Sequence, residues 1–296
     1  MSALGLGTVQ FGMPYGVANR GARTPHDELV AIIGLAAASG IRVLDTAALY
    51  GDSERALGAA LPSGHRFLIV TKTPVFGGAS RAAAAPDGLA AAFETSLANL
   101  GQDKLYALLV HDAGDLLKPG GDALWKAMDE LRRQGLIEKA GVSVYTAAEI
   151  DSILPRFEPG LVQLPVSIVD QRLVQSGHLS ALKRRGVEIH ARSVLLQGLL
   201  LMRPEERPAY FSRFDSEISG FNRFLSRYGM TPLEAALAFV SDLDEIDVAL
   251  VGVTSRAQLE ACLDAFHPPR ESRPDFSAAA CRSESLLNPA LWPTSR

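Results

Sequence analysis

Short runs of β-branched and aliphatic residues alternate with helical stretches along nearly the whole chain, and this alternation limits the fold more than any other feature. Residues 3–8, 41–44, 67–71, 105–110, 139–144, 161–164, 187–191 and 246–251 read as strands. The helices between them carry start and stop signals. Thr24 and Asp27 have capping-box spacing around Pro25, which suits a first helical position, and that helix runs to Ser39 and Gly40. A short helix over 53–61 ends at Pro62, and Asp87 can cap a third whose Leu89, Phe93, Leu97 and Leu100 share a face. Further helices are expected over 122–134, after the Thr146–Glu149 capping box, over 178–185, after Thr231, Pro232 and Glu234, and after Ser255 with Gln258. The segment 195–230 is a longer excursion. Eight strand–helix units at spacings of roughly 30 residues fit a (β/α)8 TIM barrel better than an open doubly wound sheet. The expectation is a single domain with its core at about 3–266 and a tail over 267–296. Pro268, Pro269, Pro274, Pro289 and Pro293 keep that tail from being a long helix, so it is either a flap over the barrel mouth or loose.

Three successive strands end in ionisable groups. In LDTAALYGDSE the aliphatic run stops at Asp45 and Tyr50 follows in the loop; FLIVTK ends at Lys72 and LYALLVH at His111. A carboxylate at a buried strand end needs a partner, because an unpaired charge there is costly. Taken singly, each residue has a structural reading: an Asp45–Lys72 ion pair at the rim, a loop aromatic, a satisfied histidine. At the C-terminal ends of consecutive barrel strands, where barrel enzymes keep their chemistry, the four together look like a proton-handling site.

These segments, with LRRQGLIEKAGVSV, VQLPVSIVDQRL, IHARSVLLQGLL and ALVGVTSRAQLEACL in order after them, resemble the aldo-keto reductase superfamily over nearly the whole chain. The resemblance implies an NADP(H)-dependent oxidoreductase, with NAD(H) as the alternative, that interconverts an aldehyde, ketone or sugar carbonyl and its alcohol. It casts Tyr50 as general acid and base, assisted by Lys72, Asp45 and His111. A free tyrosine, with a pKa near 10, is a weak acid at neutrality, and a nearby ammonium lowers that value. Lys72 fits that role, with Asp45 holding the amine charged and His111 hydrogen-bonding the substrate oxygen. The hairpin that usually plugs the barrel bottom in this family is not expected, since the first strand starts almost at once.

The same resemblance implies a nucleotide held by Gly7, Thr8, Asp45, Ser143, Gln163, Arg192, Ser193, Leu195, Gln197, Gly198, Leu199, Gly252, Ser255, Arg256 and Gln258. Ser143 and Gln163 would bond the carboxamide, Ser193 and the loop from Leu195 to Leu199 would meet the pyrophosphate, and Ser255 with Arg256 would face the adenosine phosphate. A helix N-terminus beside an arginine is an anion site on physical grounds as well, although Ser255 can equally serve only as a cap and Arg256 only as a solvated side chain. Several positions depart from the family pattern. Val144 and Ser167 each replace an asparagine, Arg192 stands where a tyrosine commonly stacks on the nicotinamide, and Ala261 with Cys262 replace a Glu–Asn pair. Arg192 can stack by its planar guanidinium or bind an acidic or hydroxyl-rich substrate. Loop side chains near Phe11, Tyr15, Phe76, Tyr145 and the segment after Met202 would set the substrate.

Lys and Arg total 29 against 33 for Asp and Glu, so there is no basic field to gather nucleic acid. Cys262 and Cys281 have no metal-type spacing, nor do the remaining histidines, which leaves a reducing, cytoplasmic setting as the expectation. The longest uncharged apolar run, residues 29–41, is too short to span a bilayer. The expected partner is a small carbonyl or alcohol substrate. Two other readings remain at this stage: a nicotinamide-binding regulatory subunit with little turnover, and a non-redox barrel enzyme using Lys72 as a Schiff-base amine.

Overall fold

A computed structural model describes residues 2–19, 21, 23–77, 85–266 and 274–293. Eight parallel strands close into a barrel in sequence order: β1 Ala3–Gly7, β2 Val43–Asp45, β3 Leu68–Lys72, β4 Leu105–Val110, β5 Ile137–Ser143, β6 Leu161–Pro165, β7 Glu188–Arg192 and β8 Val248–Gly252. Closure comes from β1 pairing with β8 from Ala3↔Val248 to Gly7↔Gly252. The longer helices around it are α1 His26–Ala38, α2 Ser53–Ala60, α3 Ala85–Leu100, α4 Gly121–Arg133, α5 Ala147–Ile153, α6 His178–Arg184, α7 Asp215–Tyr228, α8 Pro232–Ser241 and α9 Arg256–Phe266. Among the described residues no helix is long and apolar enough to cross a membrane.

Strand alternation builds two cores. Val43, Val70, Ala107, Leu109, Leu161, Val248 and Leu250 form a cluster of their own among the strands, whereas Leu6, Leu44, Leu108, Val162 and Ile189 pack with helix residues such as Leu29, Ile33, Phe93, Met128 and Leu259. The helix starts show which sequence signals governed. At Thr146 and at Thr231 both halves of the capping box form, Glu149 N–Thr146 Oγ1 at 3.2 Å and Glu234 N–Thr231 Oγ1 at 3.3 Å. The box expected at Thr24 does not form. Pro25 takes the cap position, and the Thr24 hydroxyl is buried without a partner while its N–H donates to Gln10 O at 2.8 Å. α3 begins at Ala85, ahead of the residue expected to cap it, and the side chain of Asp87 lies outside the described residues.

The described part of the tail, 274–293, packs against α7, α8 and the loop after β6. Phe276 lies against Phe224 of α7 and Phe239 of α8, both with ring centroids 5.5 Å apart, and Trp292 meets Phe211 edge-on at 4.8 Å. Cys281 N donates to Val169 O at 2.8 Å, which ties the tail to the loop after β6. His267, Pro268 and Pro269 lie outside the described residues.

A charged cluster occupies the N-terminal ends of the strands, opposite the mouth. Glu188 of β7 accepts from Tyr106 of β4 at 2.5 Å, from Lys139 of β5 and from His190 Nε2 at 2.7 Å. Burial pushes the Glu188 carboxyl up, but the bonds from His190, Lys139 and Tyr106 outweigh it and hold the group at about 2. Because the folded pKa is depressed, Glu188 stabilises the fold above its unfolded value of about 4.5, and that contribution is lost as pH falls toward about 2. Urea unfolding of wild type and Glu188→Gln between pH 2 and pH 6 should show a shallower acid decline in the variant; equal slopes would show that Glu188 carries none of it.

Candidate active site

The site begins with a buried ion pair. Lys72, at the end of β3, is 1% exposed, and Asp45, at the end of β2, is 5% exposed. The Lys72 Nζ donates to both Asp45 carboxylate oxygens at 2.8 Å and to Thr46 O at 2.8 Å, which uses all three of its protons. Gln163 of β6 donates to Asp45 Oδ1 at 2.7 Å. Behind Asp45, the Thr8 hydroxyl donates to Asp45 O at 3.0 Å and meets Ser53 Oγ at 2.9 Å, while Thr46 Oγ1 donates to the same Ser53 at 3.1 Å. Thr8 therefore touches the cleft chiefly as a brace for the Asp45 backbone.

Tyr50 and His111 stand over this pair. The Lys72 Nζ lies 5.1 Å from the Tyr50 ring centroid, and the Tyr50 and His111 rings meet edge to face at 5.8 Å. Tyr50 is fixed by its backbone: a Cβ on Gly12 would fall 2.0 Å from Tyr50 O, so the loop after β1 can close against it only with glycine at that position. The electrostatics differ from the sequence expectation. Burial, and then the Asp45 charge, push the Tyr50 phenol above its ordinary value; Arg192 pulls the other way without reversing the shift. The lysine cannot act as a lone cation because Asp45 neutralises it. Lys72 in turn is pushed down by burial and held up by Asp45. Burial, with Lys72, lowers His111 to about 4, so at neutral pH it is an uncharged imidazole with one N–H to donate, and its buried Nδ1 has no protein partner.

Arg192 ends β7 with its guanidinium carbon 3.9 Å from the Tyr145 ring centroid, while Nη2 donates to Val144 O at 3.0 Å. The guanidinium therefore stacks on an aromatic side chain of the protein itself, a partner that neither role read from the sequence named.

These groups line a cleft of about 370 Å³ at the C-terminal ends of the strands. Asp45, Tyr50, Lys72 and His111 line it, as do Gly7, Thr8, Ser143, Gln163 and Arg192. Ser193, Leu195, Gln197, Gly198, Gly252 and Gln258 extend it. Leu199 does not: it is 1% exposed and belongs to the core. Ser255 and Arg256 also lie outside the lining. Ser255 caps α9 by accepting from Gln258 N at 3.2 Å, and Arg256 pairs with Glu260 at 2.9 Å. Of the side chains expected to shape the substrate space, Tyr15 and Tyr145 line the cleft, whereas Phe11 and Phe76 are buried in the core and the segment after Met202 stays away. Gln10 and Asn19 line it without having been singled out; Gln10 lies in a one-turn helix, Val9–Gly12, just after β1 and Asn19 in the Gly-rich loop beyond it, whose path no periodic pattern reveals.

That loop crosses the cleft to the loop after β7. Ala18 N donates to Gln197 O at 3.4 Å, Gln197 Nε2 donates to the Tyr15 hydroxyl at 3.1 Å, and a Cβ on Gly198 would lie 2.6 Å from the Ala18 Cβ. Ser193, Leu196 and Gln197 hold positive φ of 61°, 48° and 55°, a strained run of the kind that collects at ligand sites. Among the described residues no group of three or more His, Cys, Asp or Glu could hold a metal ion, and Cys262 and Cys281 are free and buried.

Comparison with known proteins finds the same fold. The aldo-keto reductase AKR11C1 from Bacillus halodurans, in its holo form, superposes with a TM-score of 0.72 at 21% identity, covering 98% of this chain and 94% of that one. The glycerol dehydrogenase AKR11B4 from Gluconobacter oxydans does so with a TM-score of 0.68 at 22% identity, over 89% of this chain and 86% of that one. In sequence, the uncharacterized oxidoreductase YtbE of Bacillus subtilis is 29% identical over 60% of this chain and 62% of its own length. An aldo-keto reductase of Mycobacterium sp. is 30% identical over 62% of this chain and 64% of its own length, so each match spans a little over three fifths of the relative. The family model described as the Aldo/keto reductase family matches residues 3–274, and the chain belongs to that family.

Proposed function

We propose that the chain uses a nicotinamide nucleotide to interconvert the carbonyl of an aldehyde, ketone or sugar with the corresponding alcohol, with Tyr50 as the proton donor and acceptor. The observation that carries this reading is the buried Lys72–Asp45 pair lying under Tyr50 and beside His111 at one end of the cleft. Three features support a nucleotide along the rest of the cleft. The Gln10 side-chain oxygen is buried there without a partner. The left-handed backbone at Ser193, Leu196 and Gln197 makes the kind of concavity that receives an anion. Gly198 leaves no room for any larger residue beneath the crossing loop.

When bound, the nicotinamide supplies or takes the hydride, which no side chain can do. The protein manages the proton. With its pKa raised, Tyr50 is fully protonated at neutral pH, and an alkoxide forming in the cleft is a far stronger base than a phenolate, so transfer runs downhill. The phenolate left behind lies beside the cations of Lys72 and Arg192. His111, uncharged, can hydrogen-bond the carbonyl oxygen without competing to protonate it. Lys72 is poorly placed to be a Schiff-base nucleophile, since its three protons are all engaged and its charge is paired. The resemblance implies NADP(H), with NAD(H) as the alternative, and the choice depends on whether Arg256 is free to meet a phosphate.

Tyr50→Phe should bind nucleotide with an affinity close to wild type and lose on the order of 10²–10⁴ in kcat. Turnover near the wild-type level, measured by nicotinamide absorbance across a carbonyl panel, would refute the proton role. Lys72→Met leaves Asp45 buried and unpaired and should cost about 3–5 kcal/mol of stability. Chemical unfolding should show Lys72→Met paired with Asp45→Asn recovering part of that loss; a fully additive pair would mean the two side chains do not interact.

A further inference from the structure

The nucleotide end of the cleft differs from what the sequence implied. Thr254, Gln258, Ala261 and Cys262 line the cleft there, while Arg256 and Glu260, one helical turn apart on α9, lie off that lining and pair with each other at 2.9 Å. The start of α9 is also filled. Gln258 N is taken by the Ser255 hydroxyl, and Arg256 N donates to Glu28 Oε1, a carboxylate from the first turn of α1. α1 packs directly against α9, so the carboxylate is held in place by the fold. The two features that would make an anion site here, a helix N-terminus and a guanidinium, are each already matched by a protein carboxylate.

We propose that Glu28 selects NAD(H) over NADP(H), by setting a negative charge at the start of α9 where a 2′-phosphate would otherwise be received. The inference rests on the nicotinamide reading above. Around the start of α9, off the cleft lining itself, Glu28 and Glu260 set two negative charges against the one positive charge of Arg256 among the described residues. A phosphate monoester carrying about −1.5 to −2 charges at pH 7 meets like charge there and must also break the Arg256–Glu260 pair to gain a cation. A ribose hydroxyl suffers no such penalty. It can donate to a carboxylate, which has lone pairs beyond the one used by Arg256 N, and a carboxylate facing the ribose is a known physical basis of NAD preference. Ala261 and Cys262 add no compensating cation.

Direct binding of NADH and NADPH, followed by calorimetry or nicotinamide fluorescence without substrate, tests this on wild type, Glu28→Gln and Glu260→Gln. Glu28→Gln keeps an oxygen for Arg256 N and removes only the charge, so it should fold; Glu260→Gln releases Arg256 without touching the helix start. Wild type should bind NADH at least about tenfold tighter than NADPH, and each variant should shrink that ratio by about tenfold, chiefly by tightening NADPH. Wild type binding NADPH as tightly as NADH, or a ratio unmoved by Glu28→Gln, would overturn the role of Glu28 while leaving the nicotinamide reading intact. Binding of neither nucleotide by the folded wild type would overturn both.

Discussion

Everything at the mouth of this barrel is arranged around two opposite charges taken out of water. Bringing an ammonium and a carboxylate into a protein interior costs several kcal/mol per ion, and the cost is met only where geometry is close and the remaining protons and lone pairs are satisfied. Here they are: Lys72 spends its three donors on Asp45 and Thr46, and Asp45 takes a further bond from Gln163 and is braced through its backbone by Thr8. Those partners come from β2, β3 and β6 and from the residues just after β1 and β2, so the pair fixes the relative positions of strands on two sides of the barrel. A loop tyrosine and a strand-end histidine can then be held above a rigid floor.

The pairing also alters the chemistry. A cation acting alone would draw the Tyr50 proton off, but a cation already neutralised does so weakly, and burial beside Asp45 dominates instead. The phenol thus stays protonated at neutral pH, and in the proposed reaction the neighbouring charges would matter only once its proton had left. His111, pushed to about 4 by burial and by Lys72, is kept neutral by the same surroundings. In the proposed reaction, one cluster of charges would thus give its neighbours opposite tasks, proton transfer for Tyr50 and neutral hydrogen bonding for His111.

Local signals carried far in this chain. The strand–helix rhythm led to a closed parallel barrel, and Asp45, Lys72 and His111 were legible because each interrupts a run that burial would otherwise keep apolar. Caps at Thr146 and Thr231 were legible because a capping box is complete within four residues. Thr24 shows the limit. It has the same spacing, but Gln10, distant in sequence, takes the Thr24 N–H, and the helix starts from Pro25 instead. The partner of the α9 start was hidden for a similar reason: Glu28, which accepts from Arg256 N, is 228 positions away. Leu199 fell inside a loop whose ends line the cleft while its own side chain turns into the core.

The amino-acid sequence alone determined the barrel, the order of its strands, and which residue types stand at the strand ends, because periodicity, caps and interrupted apolar runs are properties of neighbours along the chain. Tertiary structure alone decided what each of those residues experiences: that Lys72 has no free proton, that Tyr50 is harder to ionise than a free phenol, that Arg192 lies on Tyr145, and that a glutamate from α1 closes the start of α9. Charge interactions fall off with distance in space and not in sequence, and burial multiplies them. A pattern can therefore name the groups, while only the fold fixes their partners and so their chemistry.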